Sequence, residues 1–168
     1  MSAHEFSRPF DVRQVEGKQA RIEANGAERA ALAERFGLVS VERLEAEVSL
    51  SRNERAVDVT GTLRAAWVQS CAISAEDLPV SVAEAIAFRF VPARADFDPD
   101  EELEIDAEDC DEIDYEGTHI DLGEAVAQSL GLAIDPYAVG PDAEEARARL
   151  GEDEANPFAA LKGLKTGD

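Results

Sequence analysis

Apolar and polar residues alternate in three stretches of the first half of the chain. The stretches are residues 44–50, 57–67 and 80–90, and the last of them follows Pro79. Alternation with a period of two places apolar side chains on one face of a strand and polar side chains on the other. The polar residues 51–55 separate the first two stretches by the length of a hairpin connection. The pattern therefore predicts three strands of an antiparallel sheet that has one face in water.

A helical pattern occupies residues 26–36. Asn25 precedes it, and Glu28 follows Asn25 at the spacing of a capping box, in which each side chain accepts from the other residue's backbone N–H. Gly37 follows the pattern and can adopt the left-handed conformation common at helix ends. We expect a helix that begins after Asn25 and ends at Gly37.

A second helical pattern begins after Asp121. Glu124 stands at the same spacing from this capping residue as Glu28 does from Asn25. Gly131 is predicted to end this helix. The apolar stripe of the predicted helix consists of Leu122, Val126 and Leu130.

Two shorter segments complete the predicted secondary structure. Residues 6–13 alternate in part and contain Pro9, which lacks a backbone N–H and so favours an edge strand. Residues 113–115 are a short strand candidate. Together the elements predict an α+β fold, in which a curled antiparallel sheet of about five strands packs against two helices.

Acidic residues are concentrated in the second half of the chain. Residues 1–94 contain 12 basic and 14 acidic side chains, whereas residues 95–168 contain 4 and 23. Residues 95–116 alone hold 13 acidic side chains and no basic one. Because such a block repels itself, residues 95–111 are expected to form a mobile acidic loop. The acidic half should repel phosphate backbones and attract basic partners.

Composition also predicts the domain organisation. Proline, glycine and acidic residues dominate after residue 136, which is typical of a segment without a packed core. Residues 1–136 are therefore expected to form one α+β domain, followed by a flexible acidic tail over residues 137–168. Within this tail, residues 142–150 have the composition of a helix.

The tail ends in a short amphipathic segment, residues 156–165. Asn156 is a good N-cap, and Pro157 suits the first position of a helix. A helix this short is not stable alone in water, so its apolar stripe must pack on the protein's own sheet or in a groove on a partner. The predicted docking residues are Phe158, Leu161, Leu164 and Lys162.

No catalytic or metal-binding pattern is complete in the sequence. Asp96, Asp98 and Asp100 have the spacing of a calcium-binding loop, but the glycine and the glutamate that such a loop requires are missing. The two cysteines and two histidines show no paired spacing. Cys71 is a candidate nucleophile without an identifiable base, so a structural role is favoured. We expect no catalytic residue, no cofactor and no metal site.

The sequence also bears on location. No apolar run approaches the ~18 residues of a membrane helix, and the N-terminus has no signal-peptide pattern. The two cysteines, Cys71 and Cys110, lie far apart and are expected to be reduced. We expect a cytoplasmic protein that does not associate with membranes.

Arginines of the near-neutral first half are candidate RNA contacts. Arg52 and Arg55 fall in the predicted hairpin connection, and Arg64 lies on a predicted strand. Guanidinium groups on an exposed sheet can bind phosphates and stack on bases. The same region carries as many acids, so arginines held in surface salt bridges are the alternative interpretation.

Several segments, in order, resemble the YceD family, also called the large ribosomal RNA subunit accumulation proteins. The first runs from strand to cysteine to acidic connection (VTGTLRAAWVQSCAISAEDLPV), and the last is NPFAALKGLK. Many relatives carry two cysteines around an arginine, whereas here Gln69 and Ser70 precede Cys71. The resembling segments are residues 59–80, 88–90, 112–115, 120–137 and 156–165.

The resemblance implies a bacterial, non-enzymatic factor that supports synthesis, processing or stability of large-subunit (23S) ribosomal RNA. Because the second half is so acidic, we expect it to act as an adaptor for a basic ribosomal or RNA-processing protein, in direct or indirect contact with ribosomal RNA. Two alternatives remain open. One is direct RNA binding through the arginines of residues 1–94, and the other is a metal-dependent hydrolase that uses the acidic loop.

Overall fold

The computed structural model describes residues 4–93 and 111–153, and these form the predicted α+β fold. The described residues fall into two compact units, one within Met1–Gln69 and Pro79–Ile134 and the other within Ser70–Leu78 and Asp135–Asp168. The strands are β1 (Pro9–Asp11), β2 (Gln19–Glu23), β3 (Ser40–Asn53), β4 (Ala56–Ser70), β5 (Asp77–Pro92), β6 (Asp111–Tyr115) and β7 (His119–Asp121). The helices are α1 (Gly26–Phe36), α2 (Leu122–Ala133) and α3 (Ala143–Asp153).

The main sheet has five strands in the order β2-β3-β4-β5-β6. The pairs β2–β3 and β3–β4 are antiparallel, as expected, but β5 and β6 are parallel. The prediction of an entirely antiparallel sheet is therefore wrong at this pair. The predicted edge strand at Pro9 is β1, which pairs with β7 in a separate two-stranded sheet.

A long hairpin joins β3 and β4. Asn53 pairs with Ala56, so the turn consists of Glu54 and Arg55, and Glu54 has a positive φ of 55°. The predicted strands are confirmed, although both extend several residues beyond the alternating stretches. The register shifts between Val41 and Arg43, which marks a bulge. Because of this bulge, apolar residues on both sides of it remain on the inward face of the sheet.

One face of the main sheet forms the core of the first unit. The large apolar side chains of the alternating pattern are buried on this face, and each contributes roughly 1.5–3 kcal/mol when fully buried. Trp67 is buried in this core and donates from its indole N–H to Gln69 Oε1 at 2.8 Å. The largest buried side chains include Trp67, Phe6, Phe90, Leu32, Leu44, Leu50, Leu63, Ile120, Leu122 and Leu130.

The first helix has the predicted ends. The Asn25 side chain accepts from the backbone N–H of Glu28 at 2.9 Å, and the Glu28 carboxylate accepts from the N–H of Asn25 at 2.8 Å. Gly37 has a φ of 65°, and its N–H bonds back to the last turn of α1. Because a side chain is strained at this φ, glycine at residue 37 gives the helix a defined end.

The second helix begins as predicted but does not end at Gly131. Asp121 accepts from the N–H of Glu124 at 3.2 Å, and the helix continues through Gly131 to Ala133. A Cβ atom on Gly131 would lie 2.8 Å from Cε1 of Phe36 on α1. Glycine at this position therefore leaves room for the Phe36 ring and does not end the helix.

The second unit contains α3 and the connection before β5. Helix α3 lies where the composition of residues 142–150 predicted helical structure. Ala72 donates its N–H to the carbonyl of Ala138 at 3.0 Å, which links the connection to the segment before α3. The predicted acidic loop comprises residues 95–111, but its last residue, Asp111, belongs to β6. The other residues of this loop lie outside the described part of the chain.

Candidate functional site

Three arginines surround one buried carboxylate on the solvent face of the main sheet. Glu45 lies on β3, Arg21 on β2 and Arg64 on β4, where Arg64 is the direct cross-strand partner of Glu45. Arg21 Nη2 is 3.2 Å from Glu45 Oε2, Arg64 Nη1 is 3.8 Å from Oε1, and Arg43 donates to the same Oε1. We call Arg21, Arg43, Glu45 and Arg64 the arginine cluster.

The charge of the arginine cluster is only partly balanced. The Glu45 side chain is 5% exposed, whereas those of Arg21, Arg43 and Arg64 are 60%, 52% and 50% exposed. The hydrogen bond from Arg43, and after it that from Arg21, holds the pKa of Glu45 below its ordinary value against the opposing effect of burial. One carboxylate shared by three guanidinium groups leaves donors free to bind an anion or a polar backbone.

Acidic residues elsewhere on the same face reduce its positive charge. The cross-strand register places Glu23 and Glu47 on the face that carries Glu45. Arg89 donates to Asp58 Oδ1 at 2.7 Å, so this arginine is held in a salt bridge. The sheet face is therefore a mixed surface rather than a basic patch of the kind that dominates non-specific nucleic-acid binding.

The other two predicted RNA contacts lie at the β3–β4 hairpin turn, far from Arg64. Val57, the partner of Arg52, is separated from Arg64 by roughly 23 Å along β4, at ~3.3 Å per residue. Arg52 donates its backbone N–H to Glu16 and its Nε to the carbonyl of Glu54. The three predicted arginines therefore do not form one site.

A cleft of about 520 Å³ adjoins the hairpin turn. The Tyr115 hydroxyl donates to the carbonyl of Arg55 at 2.6 Å and fixes the turn against the end of β6. The cleft is open and carries two arginines and one acid, so it can accept a polar ligand without providing a nucleophile–base pair. Its lining comprises Val12, Arg52, Arg55, Pro92, Ala93, Tyr115, Glu116 and Gly117.

In the second unit, the Cys71 thiol accepts hydrogen bonds from backbone amides. Its Sγ lies 3.4 Å from the amide nitrogens of Ser74 and Gly140. The hydrogen bond from the Ser74 side chain, followed by that from Gly140, lowers the pKa of Cys71 to about 6. The side chain is buried, so this thiolate is stabilised where few reagents reach it. No sequence pattern indicates this environment, because the Ser74 side chain and backbone amides rather than a basic residue create it.

The second unit also has an acidic groove between α3 and the connection before β5. Its cavity volume is about 470 Å³. Asp142, Glu145 and Glu76 are exposed at the groove, and Arg149 pairs with Glu145 along α3. We call this the acidic groove; its complete lining is Ile73, Ser74, Glu76, Asp142, Glu145, Ala146 and Arg149.

Other sequence-based candidates are only partly within the described chain. Among residues 4–93 and 111–153, no group of three or more histidine, cysteine or acidic side chains is arranged to hold a metal ion. The aspartates with calcium-loop spacing lie outside these ranges. So do the predicted docking residues Phe158, Leu161, Lys162 and Leu164.

Arg21 and Arg43 were missed by sequence reasoning, for different reasons. Arg43 and Glu45 stand two residues apart on one strand, and alternation alone places them on one face. Arg21 joins them only because β2 pairs with β3, and β2 has a single buried residue, Ile22, to indicate a strand.

Comparison with known proteins agrees with the resemblance seen in the sequence. No helix in the described parts of the chain is long and apolar enough to cross a membrane. Neither the curated proteins nor the solved structures include a match to the chain. The family model described as large ribosomal RNA subunit accumulation protein YceD matches residues 59–165, beginning within β4. The match covers more than half of the chain, which therefore belongs to the YceD family of large ribosomal RNA subunit accumulation proteins.

Proposed function

We propose that this protein supports the accumulation of large-subunit (23S) ribosomal RNA as a non-enzymatic adaptor that binds a basic ribosomal or RNA-processing protein. The family match supports the ribosomal RNA role. The charge distribution carries the adaptor role, because residues 95–168 hold 23 acidic and only 4 basic side chains. The same proposal places the protein in the cytoplasm, together with its partner.

Electrostatics favour a basic protein over RNA as the direct partner. A net charge of −21 repels a polyanion at long range and increases the rate of encounter with a polycation. The acidic groove contributes three exposed carboxylates, of which one is paired with Arg149, and half-buried Ile73 and Ala146 beside them. Such a surface suits a basic side chain that carries an apolar stem, as lysine and arginine do.

The amphipathic segment at residues 156–165 is proposed as a second contact with the partner. Its support is the sequence pattern of Phe158, Leu161 and Leu164, with Lys162 between them, and its inclusion in the family match. Deletion of residues 156–168 should abolish partner capture without lowering the melting temperature. As a matched control, Lys162→Ala should keep the apolar stripe and weaken capture only slightly. A loss of thermal stability on deletion would show instead that the segment packs on its own domain.

Affinity capture at physiological salt tests the proposed function directly. Tagged protein is incubated with a bacterial lysate, half of which has been treated with ribonuclease, and both protein and RNA in the eluate are identified. We expect one basic ribosomal or RNA-processing protein in both halves. Recovery of large-subunit RNA with no basic protein, lost on substitution of Arg52, Arg55 and Arg64, would overturn the adaptor role in favour of direct RNA binding.

The salt dependence of RNA binding separates these two functions in a purified system. The logarithm of the association constant falls linearly with the logarithm of the salt concentration. Each phosphate contact adds roughly 0.7 to 0.9 to the steepness of that line. The exposed guanidinium groups of the arginine cluster are the observation that favours the RNA-binding alternative. A steep slope for purified protein with large-subunit RNA fragments would support it, and we expect weak binding instead.

A further inference from the structure

Strand β5 is much longer than the strand that covers its outer edge. β6 pairs with β5 only from Phe88 to Pro92. β5 has β4 as its hydrogen-bonded neighbour on one side, and no residue described in 4–93 or 111–153 pairs with residues 79–87 on the other. We call residues 79–87 the open edge; a strand added there would continue the line of β6, beginning beside Asp111.

The direction of the backbone groups along the open edge follows from two observations. Ala93 donates its N–H to Tyr115 at 2.9 Å, so odd-numbered residues of this strand direct their N–H and C=O towards β6. From Val80 to Phe90 the more buried side chains are even-numbered except for the exposed Glu84, and this order is the same on both sides of Glu84, so a single bulge does not reverse it within the open edge. The residues that face the unpaired side are Pro79, Ser81, Ala83, Ala85 and Ala87.

The open edge lacks the protection that edge strands usually carry. Charged side chains, bulges and proline normally prevent the addition of a further strand. Here the edge-facing residues are small, and Ser81, Ala83 and Ala85 are exposed. Pro79 blocks pairing only at the far end. Four consecutive edge-facing N–H groups are therefore sterically accessible to an extended chain.

The surroundings of the open edge are acidic. Asp111, Glu112 and Asp114 are exposed on β6, and Glu84 is exposed on β5 itself. The nearest arginine on β5, Arg89, is bonded to Asp58. A second copy of this chain would bring a net charge of −21 against −21, whereas a basic segment would meet opposite charge along its length.

We propose that the open edge of β5 binds an extended basic peptide segment of the partner by strand addition. Backbone hydrogen bonds from Ser81, Ala83, Ala85 and Ala87 supply affinity that does not depend on the partner's side chains. The carboxylates of β6 select for lysine or arginine at the end of the segment that lies beside Asp111. This inference rests on the proposed function, since it names the surface and the form of the basic partner.

Amide hydrogen exchange by NMR on the full chain tests the proposal. The ligand is a short synthetic peptide in which lysine and valine alternate, and its control carries the same side chains with every backbone nitrogen N-methylated, so that neither of its edges can pair. We expect the first peptide to slow exchange at Ser81, Ala83, Ala85 and Ala87 and the second to leave them unchanged. The amides of Val82 and Ile86 face β4 and serve as internal references.

A pair of variants at one position separates strand addition from charge attraction. Ala85→Pro removes one edge-facing N–H and obstructs the edge, and we expect about tenfold weaker binding of the unmodified peptide. Ala85→Ser keeps the N–H and should bind like wild type. Both should retain the melting temperature, because residue 85 makes no backbone bond to β4; if Ala85→Pro unfolds, the comparison of the two peptides still decides.

The outcomes distinguish failure of this inference from failure of the proposed function. Equal binding of the two peptides, unaffected by Ala85→Pro, would overturn strand addition and leave the acidic adaptor intact. If neither peptide binds, strand addition is overturned. The adaptor role is then tested separately by affinity capture. Slow exchange of the four amides before any peptide is added, or slowing that grows with protein concentration, would also overturn it, because the edge would be covered by this chain or by a second copy.

Discussion

Arg8 donates to both carboxylate oxygens of Glu28, at 2.8 Å to Oε1 and 2.9 Å to Oε2. The same carboxylate accepts from the backbone N–H of Asn25 and so also caps α1. One side chain thereby fixes both the start of a helix and the segment that leads into β1. The hydrogen bond from Arg8 is the main reason why the pKa of Glu28 lies below its ordinary value.

We expect Glu28→Gln to lower the free energy of unfolding by about 1 kcal/mol at neutral pH, since glutamine can still accept from Asn25 but offers Arg8 no charge. A lowered folded-state pKa means that this contribution is complete above the unfolded-state value near 4.5 and is lost as the pH falls through the folded-state value. The difference between wild type and variant in urea unfolding should therefore shrink as the solution is acidified below 4.5.

The exposed acid Glu34 on the same helix provides the control for this prediction. Glu34→Gln should change stability by less than Glu28→Gln at neutral pH, because its side chain is exposed. A difference for Glu28→Gln that stays constant from neutral to acid pH would show that the ion pair with Arg8 is not its cause.

The capping box was predictable from the sequence, whereas the Arg8–Glu28 pair was not. Asn25 and Glu28 are three residues apart and their contact is local, so spacing alone predicts it. Arg8 reaches Glu28 only after the chain preceding β1 has packed beside α1, and local spacing carries no information on such contacts. The same distinction explains why Arg43 and Glu45 could have been paired from the strand pattern and Arg21 could not.

The sequence also did not predict whether β6 runs parallel or antiparallel to β5. Alternation in residues 111–115 indicates a strand and its faces, but parallel and antiparallel partners leave the same pattern on one strand. A connection as long as residues 93–110 permits either direction, whereas the two-residue turn between β3 and β4 permits only antiparallel pairing. Hence the hairpin was predicted correctly and the β5–β6 pair was not.

Gly131 leaves room for the Phe36 ring of α1, and we expect Gly131→Ala to destabilise the protein by about 1–3 kcal/mol. The added methyl group would lie 2.8 Å from Cε1 of Phe36 and would force that ring to move. An alanine inside a helix is otherwise more favourable than glycine, so the sign of the effect tests the contact. Chemical denaturation of both proteins measures it.

Phe36→Leu supplies the matched background for this substitution. Without the ring edge, Gly131→Ala should cost much less, and a double-mutant cycle gives the coupling between the two positions. Stabilisation by Gly131→Ala in the wild-type background would contradict the close contact between the Phe36 ring and residue 131.

Cys71 is expected to be dispensable for folding, since the hydroxyl that Cys71→Ser introduces can accept from the same amides of Ser74 and Gly140. The thiol nevertheless makes stability depend on pH. Because its folded-state pKa is about 6 and its ordinary value is 9.0, its contribution is absent below 6 and complete above 9. The melting temperature of wild type relative to Cys71→Ser should therefore rise between pH 6 and pH 9. Parallel melting curves would show that the thiol keeps its ordinary pKa.

The arginine cluster leads to a prediction about RNA. At ~0.15 M salt the screening length is only ~8 Å, so the distant acidic residues influence a local RNA contact weakly. The carboxylates on the sheet face itself, above all Glu45, are then the groups that compete with phosphate for these arginines. We expect wild-type protein to bind large-subunit RNA fragments more weakly than micromolar, and substitution of Arg52, Arg55 and Arg64 to change little.

Glu45→Gln removes the carboxylate that three arginines share but keeps an acceptor for Arg43. We expect this variant to bind RNA severalfold more tightly than wild type, with a salt slope steeper by about one phosphate contact. Adding Arg64→Ala should reverse much of the gain, because Arg64 interacts with Glu45 only as an ion pair at 3.8 Å, which glutamine does not replace, so its guanidinium group becomes available to phosphate. Fluorescence anisotropy over a salt series measures both quantities. Submicromolar binding by wild type, lost on substitution of Arg52, Arg55 and Arg64, would show that these arginines already contact RNA and that Glu45 does not restrain them.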